Sequence, residues 1–337
     1  MKAYSLYAVN HLIYEDVPYP ECPKGWAVVK VKAAGICSSD IPRIYKKGTY
    51  HFPTIPGHEF SGIVDKVADE NYTYLIGKKV GVFPLIPCRK CEQCTAGHYE
   101  MCSHYDYIGS RRDGAFAEYV AAPIWNLIEL DDSVSFRAAA MMEPLSVALH
   151  AMRIANIQQD NSVAIVGTGM IGFAAAQWAI KLGAGNVTIL GRDKHKKELA
   201  DAITGLNYNI LDEVAAEYDV VLEAVGSNSS INNSVNIVKA NGHIVFMGNP
   251  EGDITLPQDV YWRILRKQLM ISGTWNSSYE KDRECDWSQV KDALNDGTFK
   301  VEKLISHTFQ QNRLMDGLKL MKNHEEPYCK VMTIWND

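Results

Sequence analysis

The feature that most constrains this chain is the run Val166-Gly167-Thr168-Gly169-Met170-Ile171-Gly172, a G-x-G-x-x-G pattern. Alone the pattern is weak. Here it sits between Ser162-Val-Ala-Ile-Val, which reads as a short buried strand, and an apolar helix pattern over residues 170–182. Each glycine then has its own task. Gly167 admits a tight turn, Gly169 lets the backbone approach a pyrophosphate, and Gly172 lets the helix lie close to the strand. The free N–H groups where the helix opens, at Met170 and Ile171, hold the anion. Further strand patterns over 186–190, 219–225, 243–248 and 269–275 alternate with helical ones, including a polar helix over 193–203. That alternation predicts a parallel sheet with helices on both faces, a doubly wound dinucleotide-binding domain over residues 148–279.

The tip of the next strand selects the cofactor. NAD-binding sheets of this kind carry an acidic residue about 20 positions beyond the fingerprint. Nineteen positions after Gly172 stands Gly191, followed by Arg192. Gly191 leaves space for a 2′-phosphate, and Arg192 offers a planar cation to bind it bidentately. Lys194 and Lys196 add positive charge, although with Lys197 they also read as a solvated helix face. Asp193 is still within reach of a ribose. The balance favours NADP over NAD.

The flanking segments have a different texture. Residues 1–147 are β-rich, as in Trp26-Ala-Val-Val-Lys-Val-Lys, and are punctuated by Gly and Pro. Residues 280–337 read as a helix and then a strand, with no repeat of the alternation. A chain of 337 residues has the length for two domains, and 47% hydrophobic with 22% charged residues is ordinary globular composition. The net charge of −6 argues against a nucleic-acid binder driven by phosphate neutralisation. No apolar run approaches the ~18–20 residues that span a bilayer, and no secretory signal opens the chain. The expectation is a cytoplasmic protein with neither membrane nor nucleic acid among its partners.

Eight cysteines occur, at 22, 37, 88, 91, 94, 102, 285 and 329. A disulfide framework belongs to short secreted chains. Cys88-x2-Cys91-x2-Cys94-x7-Cys102 instead presents four thiolates on one loop, a closed set suited to a structural zinc ion. Thiolates alone do not fix the metal, so an iron–sulfur cluster stays open. A second set mixes donor types: Cys37 in Gly35-Ile-Cys-Ser-Ser-Asp40, His58 and Glu59 in Gly57-His-Glu-Phe-Ser-Gly62, and Glu143 in Met142-Glu-Pro-Leu-Ser-Val147. Sulfur, nitrogen and oxygen ligands with one position left open are what a Lewis-acid zinc needs. Taken singly, each residue also has a plain structural reading, as a small buried hydrophobe, a satisfied histidine or a helix N-terminal charge.

In this order, G-I-C-x-S-D, P-G-H-E, the four-cysteine loop, M-E-P-L-S-V-x-L-H and V-G-T-G-x-I-G resemble the zinc-dependent medium-chain dehydrogenase/reductases over essentially the whole chain. The likeness is to their polyol branch, where Glu replaces a cysteine ligand. Within it, Ser39-Asp40-Ile-Pro-Arg43-Ile, Tyr107-Ile-Gly-Ser-Arg111-Arg112-Asp-Gly and Ile264-Leu-Arg266-Lys267 are similar to sugar-alcohol-phosphate dehydrogenases.

The resemblance implies an α/β chain with a GroES-like β-rich catalytic domain (residues 1–147 and 280–337) and a Rossmann doubly wound parallel-sheet domain. It implies two zinc ions per chain. The catalytic ion falls to Cys37, His58 and Glu143, with Glu59 exchanging against water or substrate, and the structural ion to Cys88, Cys91, Cys94 and Cys102. Ser39 becomes the hydroxyl that relays the substrate proton. The reaction is hydride transfer between a nicotinamide cofactor and a secondary alcohol of a sugar alcohol, giving the ketose. A homodimer or homotetramer is expected. Arg43, Arg111 and Arg112 are candidate forks for a substrate phosphate, and a free polyol such as sorbitol or xylitol is the alternative. Departures are Ser38 where Gly is usual, Gly191 in place of an acidic residue, and the lack of a His after Ser39-Asp40 to extend the relay. A non-catalytic metal- and nucleotide-binding protein would have lost ligands, whereas Cys37, His58, Glu143 and Ser39 are all present.

Overall fold

The computed structural model describes residues 1–192 and 194–335. The chain divides into two compact units, Met1–Glu143 with Ser278–Asp337, and Pro144–Ser277.

The Pro144–Ser277 unit is built on six parallel strands. Across the sheet their order is Leu206–Ile210, Asn186–Gly191, Ser162–Val166, Tyr218–Glu223, Val238–Phe246 and Met270–Gly273. The central strand is buried on both sides at Val163, Ala164, Ile165 and Val166, which is why it reads as an unbroken apolar run. The order reverses between Ser162–Val166 and Tyr218–Glu223, and sheets of this kind bind ligands beyond the carboxyl ends of the strands at such a reversal. The helices Asn228–Ile237 and Gln258–Lys267 bury Val235, Ile237 and Val260 against Ala164, Val221 and Ile244. Two differences from the sequence reading stand out. Leu206–Ile210 is a strand not foreseen, because its exposed Asn207 and Asn209 mask the pattern of a sheet edge. The helix expected over 193–203 is confined to Lys197–Asp201, preceded by Lys196, which supplies no side-chain cap. Asp193 lies outside the described residues.

The other unit is β-rich. The 11-residue strand Trp26–Ile36 pairs with three others: Glu59–Val67, Tyr119–Pro123 and Lys330–Ile334. Val29, Val31, Ile36, Phe60, Val64 and Phe116 fill the core between them. The helix Leu314–Asn323 adds Leu314, Leu318 and Met321 to that core. Among the described residues, the tail after residue 280 thus holds two α-helices and two strands, more than the one of each expected. Strand ends do the positioning. Trp26–Ile36 stops immediately before Cys37, Glu59–Val67 starts immediately after His58, and Gly35 pairs in register with both Glu59 and Met332. No helix among the described residues is long and apolar enough to cross a membrane.

Candidate functional site

The first cluster is made where those strands end. Ligating atoms of Cys37, His58 and Glu59 all lie within 4.8 Å of one another. Asp40, fully buried, frames them: its carboxylate accepts the Cys37 backbone N–H at 3.0 Å, accepts from Arg43 at 2.9 Å, and lies 3.5 Å from His58 Nδ1. Burial works against the imidazolium of His58, but the Asp40 and Cys37 charges outweigh it and raise its pKa well above the ordinary value. Lys330, also buried, pairs with Glu59 Oε2. Gly35 is what admits that pair. A Cβ there would come within 2.7 Å of the Lys330 side chain and still closer to Glu59.

Glu143 stands beside the cluster rather than within that 4.8 Å group. Its Oε1 accepts from the Tyr107 hydroxyl at 3.3 Å. Burial pushes the Glu143 carboxyl up to about 7, with Glu59 reinforcing the shift and His58 opposing it. The Tyr107 ring meets the His58 ring edge-on at 5.7 Å. Ser39 occupies the turn between Cys37 and Asp40, and its side chain makes no capping bond to the short helix that follows. A soft thiolate, an imidazole and two buried carboxylates suit a divalent ion of the zinc type.

The four cysteines of the loop are also together. Cys88 Sγ is 4.0 Å from Cys94 Sγ, and Cys91 Sγ is 3.9 Å from Cys102 Sγ. A tetrahedral ion with sulfurs at about 2.3 Å sets edges of about 3.8 Å, so the loop fits one zinc-sized ion. Backbone N–H groups of Cys94 and Ser103 pull the Cys91 thiol down to about 6, while burial pushes Cys94 up to about 12.

The three arginines separate. Arg43 is held by Asp40, and Arg112 pairs with Asp106 and lies over the Trp26 ring. Arg111 is sandwiched between Tyr50 and Tyr105, with its guanidinium carbon 4.2 and 4.4 Å from the ring centroids. Among the described residues no carboxylate pairs with it, and its buried Nε has no hydrogen-bond partner.

In the Pro144–Ser277 unit, Gly167 has φ +121, and Gly172 approaches the Gly167 carbonyl so closely that any Cβ would clash. Nothing lies within 4 Å of a Cβ built on Gly169, which opens the 12-residue helix Met170–Lys181, and Met170 and Ile171 form its first turn. A helix opening of this form suits a phosphate group. Lys196 Nζ donates to the Thr168 carbonyl at 2.8 Å, placing a cation on the fingerprint loop, and Arg192 is exposed. Lys197 instead forms an i,i+4 pair with Asp201. Gly191 is buried, and the place of its missing side chain is taken by the Tyr208 hydroxyl.

Four residues here were not singled out from the sequence for the roles they hold: Asp40, Tyr107, Lys330 and Tyr208. Asp40 and Tyr107 carry only a family likeness. A hint for Lys330 exists, since Glu59 opens an apolar strand and needs a counter-charge. Tyr208 leaves no local signal.

Comparison with known proteins agrees with the fold. Residues 23–132 match the family model of the alcohol dehydrogenase GroES-like domain, and residues 171–294 that of zinc-binding dehydrogenase. Galactitol 1-phosphate 5-dehydrogenase of Escherichia coli K12 is 32% identical over 290 residues, covering 83% of this chain and 84% of that protein. The crystal structure of galactitol-1-phosphate dehydrogenase from Escherichia coli superposes with a TM-score of 0.90 at 30% identity, over 99% of this chain and 100% of that one. A zinc-binding dehydrogenase from Sinorhizobium meliloti 1021, solved bound to NADP, gives 0.90 at 27% identity over 99% and 98% of the two chains. An alcohol dehydrogenase from Escherichia coli CFT073, solved with NADH, gives 0.89 at 26% over 99% of each.

Proposed function

The chain belongs to the zinc-dependent medium-chain dehydrogenases and is an oxidoreductase, and from that premise we propose that it interconverts a sugar-alcohol phosphate and the corresponding ketose phosphate, with NADP as the favoured hydride carrier. The observation that carries the reading is the convergence of Cys37, His58 and Glu59, with Glu143 at their side. Cys37, His58 and Glu143 hold the catalytic zinc, and Glu59 exchanges with it. A zinc ion there supplies Lewis-acid polarisation of the alcohol oxygen. Ser39 moves the substrate proton outward through its hydroxyl. The four-cysteine loop holds a second, structural zinc.

Arg111 binds the substrate phosphate. The two tyrosine rings fix its plane, and among the described residues no carboxylate neutralises its charge. Arg43 and Arg112 are committed to Asp40 and Asp106, which leaves one arginine for the purpose. That economy favours a free polyol as the second reading. In the nucleotide unit, Arg192 and Lys196 bind the 2′-phosphate beside Gly191. A second copy of the chain pairs along the edge strand Met270–Gly273, where Met270 is 61% exposed and the nearby Trp275 57%. Eight cysteines, none in a disulfide, fit a reducing, cytoplasmic setting.

The test is a matrix of polyols and polyol phosphates against NADP and NAD, followed at the nicotinamide absorbance. The reading expects the highest kcat/KM with a polyol phosphate and NADP. Arg111→Ala should lower kcat/KM for the phosphorylated substrate at least about tenfold more than for its free polyol, since charge-assisted bonds contribute about 1.5–3 kcal/mol. Equal losses would remove the phosphate reading. Arg192→Ala should raise the KM for NADP and leave that for NAD nearly unchanged.

A further inference from the structure

Two carboxylates stand beside Cys37 and His58, Glu59 within 4.8 Å of them and Glu143 outside that group, and each has one oxygen engaged by a different donor. Lys330 pairs with Glu59 Oε2, and Tyr107 donates to Glu143 Oε1. The two donors are not equivalent. An ammonium neutralises the carboxylate it holds and lowers its worth as a ligand. A phenol orients the carboxylate and leaves its charge in place. Tyr107 is itself fixed on three sides. Its two-residue strand Asp106–Tyr107 pairs with Leu85–Ile86. Its carbonyl accepts the N–H groups of Ser110, Arg111 and Arg112 at 3.3, 2.9 and 3.1 Å. Its ring abuts His58, a member of the same cluster. A phenol keeps its proton at neutral pH, so the Tyr107 hydroxyl acts toward Glu143 as a donor.

We propose that Tyr107 is a positioning residue of the metal centre: its hydroxyl holds one oxygen of Glu143, keeps the other available to the ion, and so makes Glu143 rather than Glu59 the standing carboxylate ligand. The inference rests on the reading of Cys37, His58 and Glu143 as the ligand set. Hydrogen-bond partners of metal ligands usually contribute about 10–100-fold in affinity.

The experiment measures metal binding rather than turnover. Full-length wild type, Tyr107→Phe, Glu143→Gln and Glu59→Gln are stripped of metal. Zinc affinity is read by chelator competition, the visible spectrum after loading with Co2+, and the melting temperature in parallel. Tyr107→Phe should bind zinc at this centre about 10–100-fold more weakly. Its cobalt spectrum should shift in the direction of Glu143→Gln and away from Glu59→Gln, with an unchanged melting temperature. If Glu143→Gln weakens binding while Tyr107→Phe matches wild type in affinity and spectrum, the proposal fails and the ligand set stands. A lowered melting temperature with unchanged metal affinity would make Tyr107 merely structural and also overturn it. If Glu143→Gln itself changes neither affinity nor spectrum, the ligand set is wrong and the proposal goes with it.

Discussion

The four-cysteine loop and the mixed-donor cluster stand in one unit and are built on opposite plans. The loop takes all its donors from residues 88–102, with backbone N–H groups as the main support for Cys91. The cluster draws Cys37, His58, Glu59 and Glu143 from separate segments, joined by strand pairing at Gly35 and Glu59. Its supports are side chains too: buried Asp40 from the turn after Cys37, half-buried Tyr107, and buried Lys330 from the far end of the chain. Four thiolates around one point leave no place for a substrate, so such a loop ties down chain. A set with surplus carboxylates, each held by its own donor, can give up a position to a substrate oxygen. Local donors make a staple, and non-local donors make a centre whose ligation can change.

The largest effect should come from the cluster. Cys37→Ala or His58→Ala should lower kcat by roughly a thousandfold or more, because Lewis-acid polarisation contributes several kcal/mol. Near-normal turnover in either variant would erase the difference between the two sites. The loop should answer the other way. Cys91→Ala should remove one ion per chain and lower the melting temperature by about 10 °C, as a structural metal is part of the folding free energy. An unchanged melting curve would deny it a structural role. Lys330→Met leaves Glu59 buried without its cation, which costs on the order of 3 kcal/mol when a buried pair is broken. Denaturant titration of the metal-free protein reads that loss, and a loss under 1 kcal/mol would mean that Glu59 does not need the pair. The smallest effect is in rates of metal loss. A competing chelator should strip the mixed cluster before the closed loop, and simultaneous loss would make the two sites alike.

Much of this was legible in the sequence, for identifiable reasons. Gly167, Gly169 and Gly172 announce themselves because their tasks are local. The four cysteines do so because their spacing is itself the site. Leu206–Ile210 escaped notice because an edge strand with Asn207 and Asn209 outward carries little apolar signal. Tyr208 was hidden for a related reason. It fills the space at Gly191 from that strand, where no sequence spacing records the contact. It also alters the sequence-based expectation that Gly191 leaves open space, since the Tyr208 hydroxyl lies where a side chain at 191 would be. Lys330 opens a strand in which a lysine reads as a surface residue, and only the neighbouring Glu59 explains its burial. Arg43 and Arg112 looked free for an anion although their partners, Asp40 and Asp106, stand only three and six residues before them, and the first is a local i,i+3 pair that the sequence could have suggested.

The central claim is that the mixed cluster holds the ion on which the chemistry depends. Zinc content per chain, turnover and melting temperature should be followed together while a chelator is titrated into the native enzyme. The account predicts two ions per chain at the start, one for each cluster. Turnover should fall in step with the first ion lost, and the melting temperature should hold until the second leaves. Full turnover after the first ion has gone, or a fully active enzyme with a single ion in the four-cysteine loop, would contradict it.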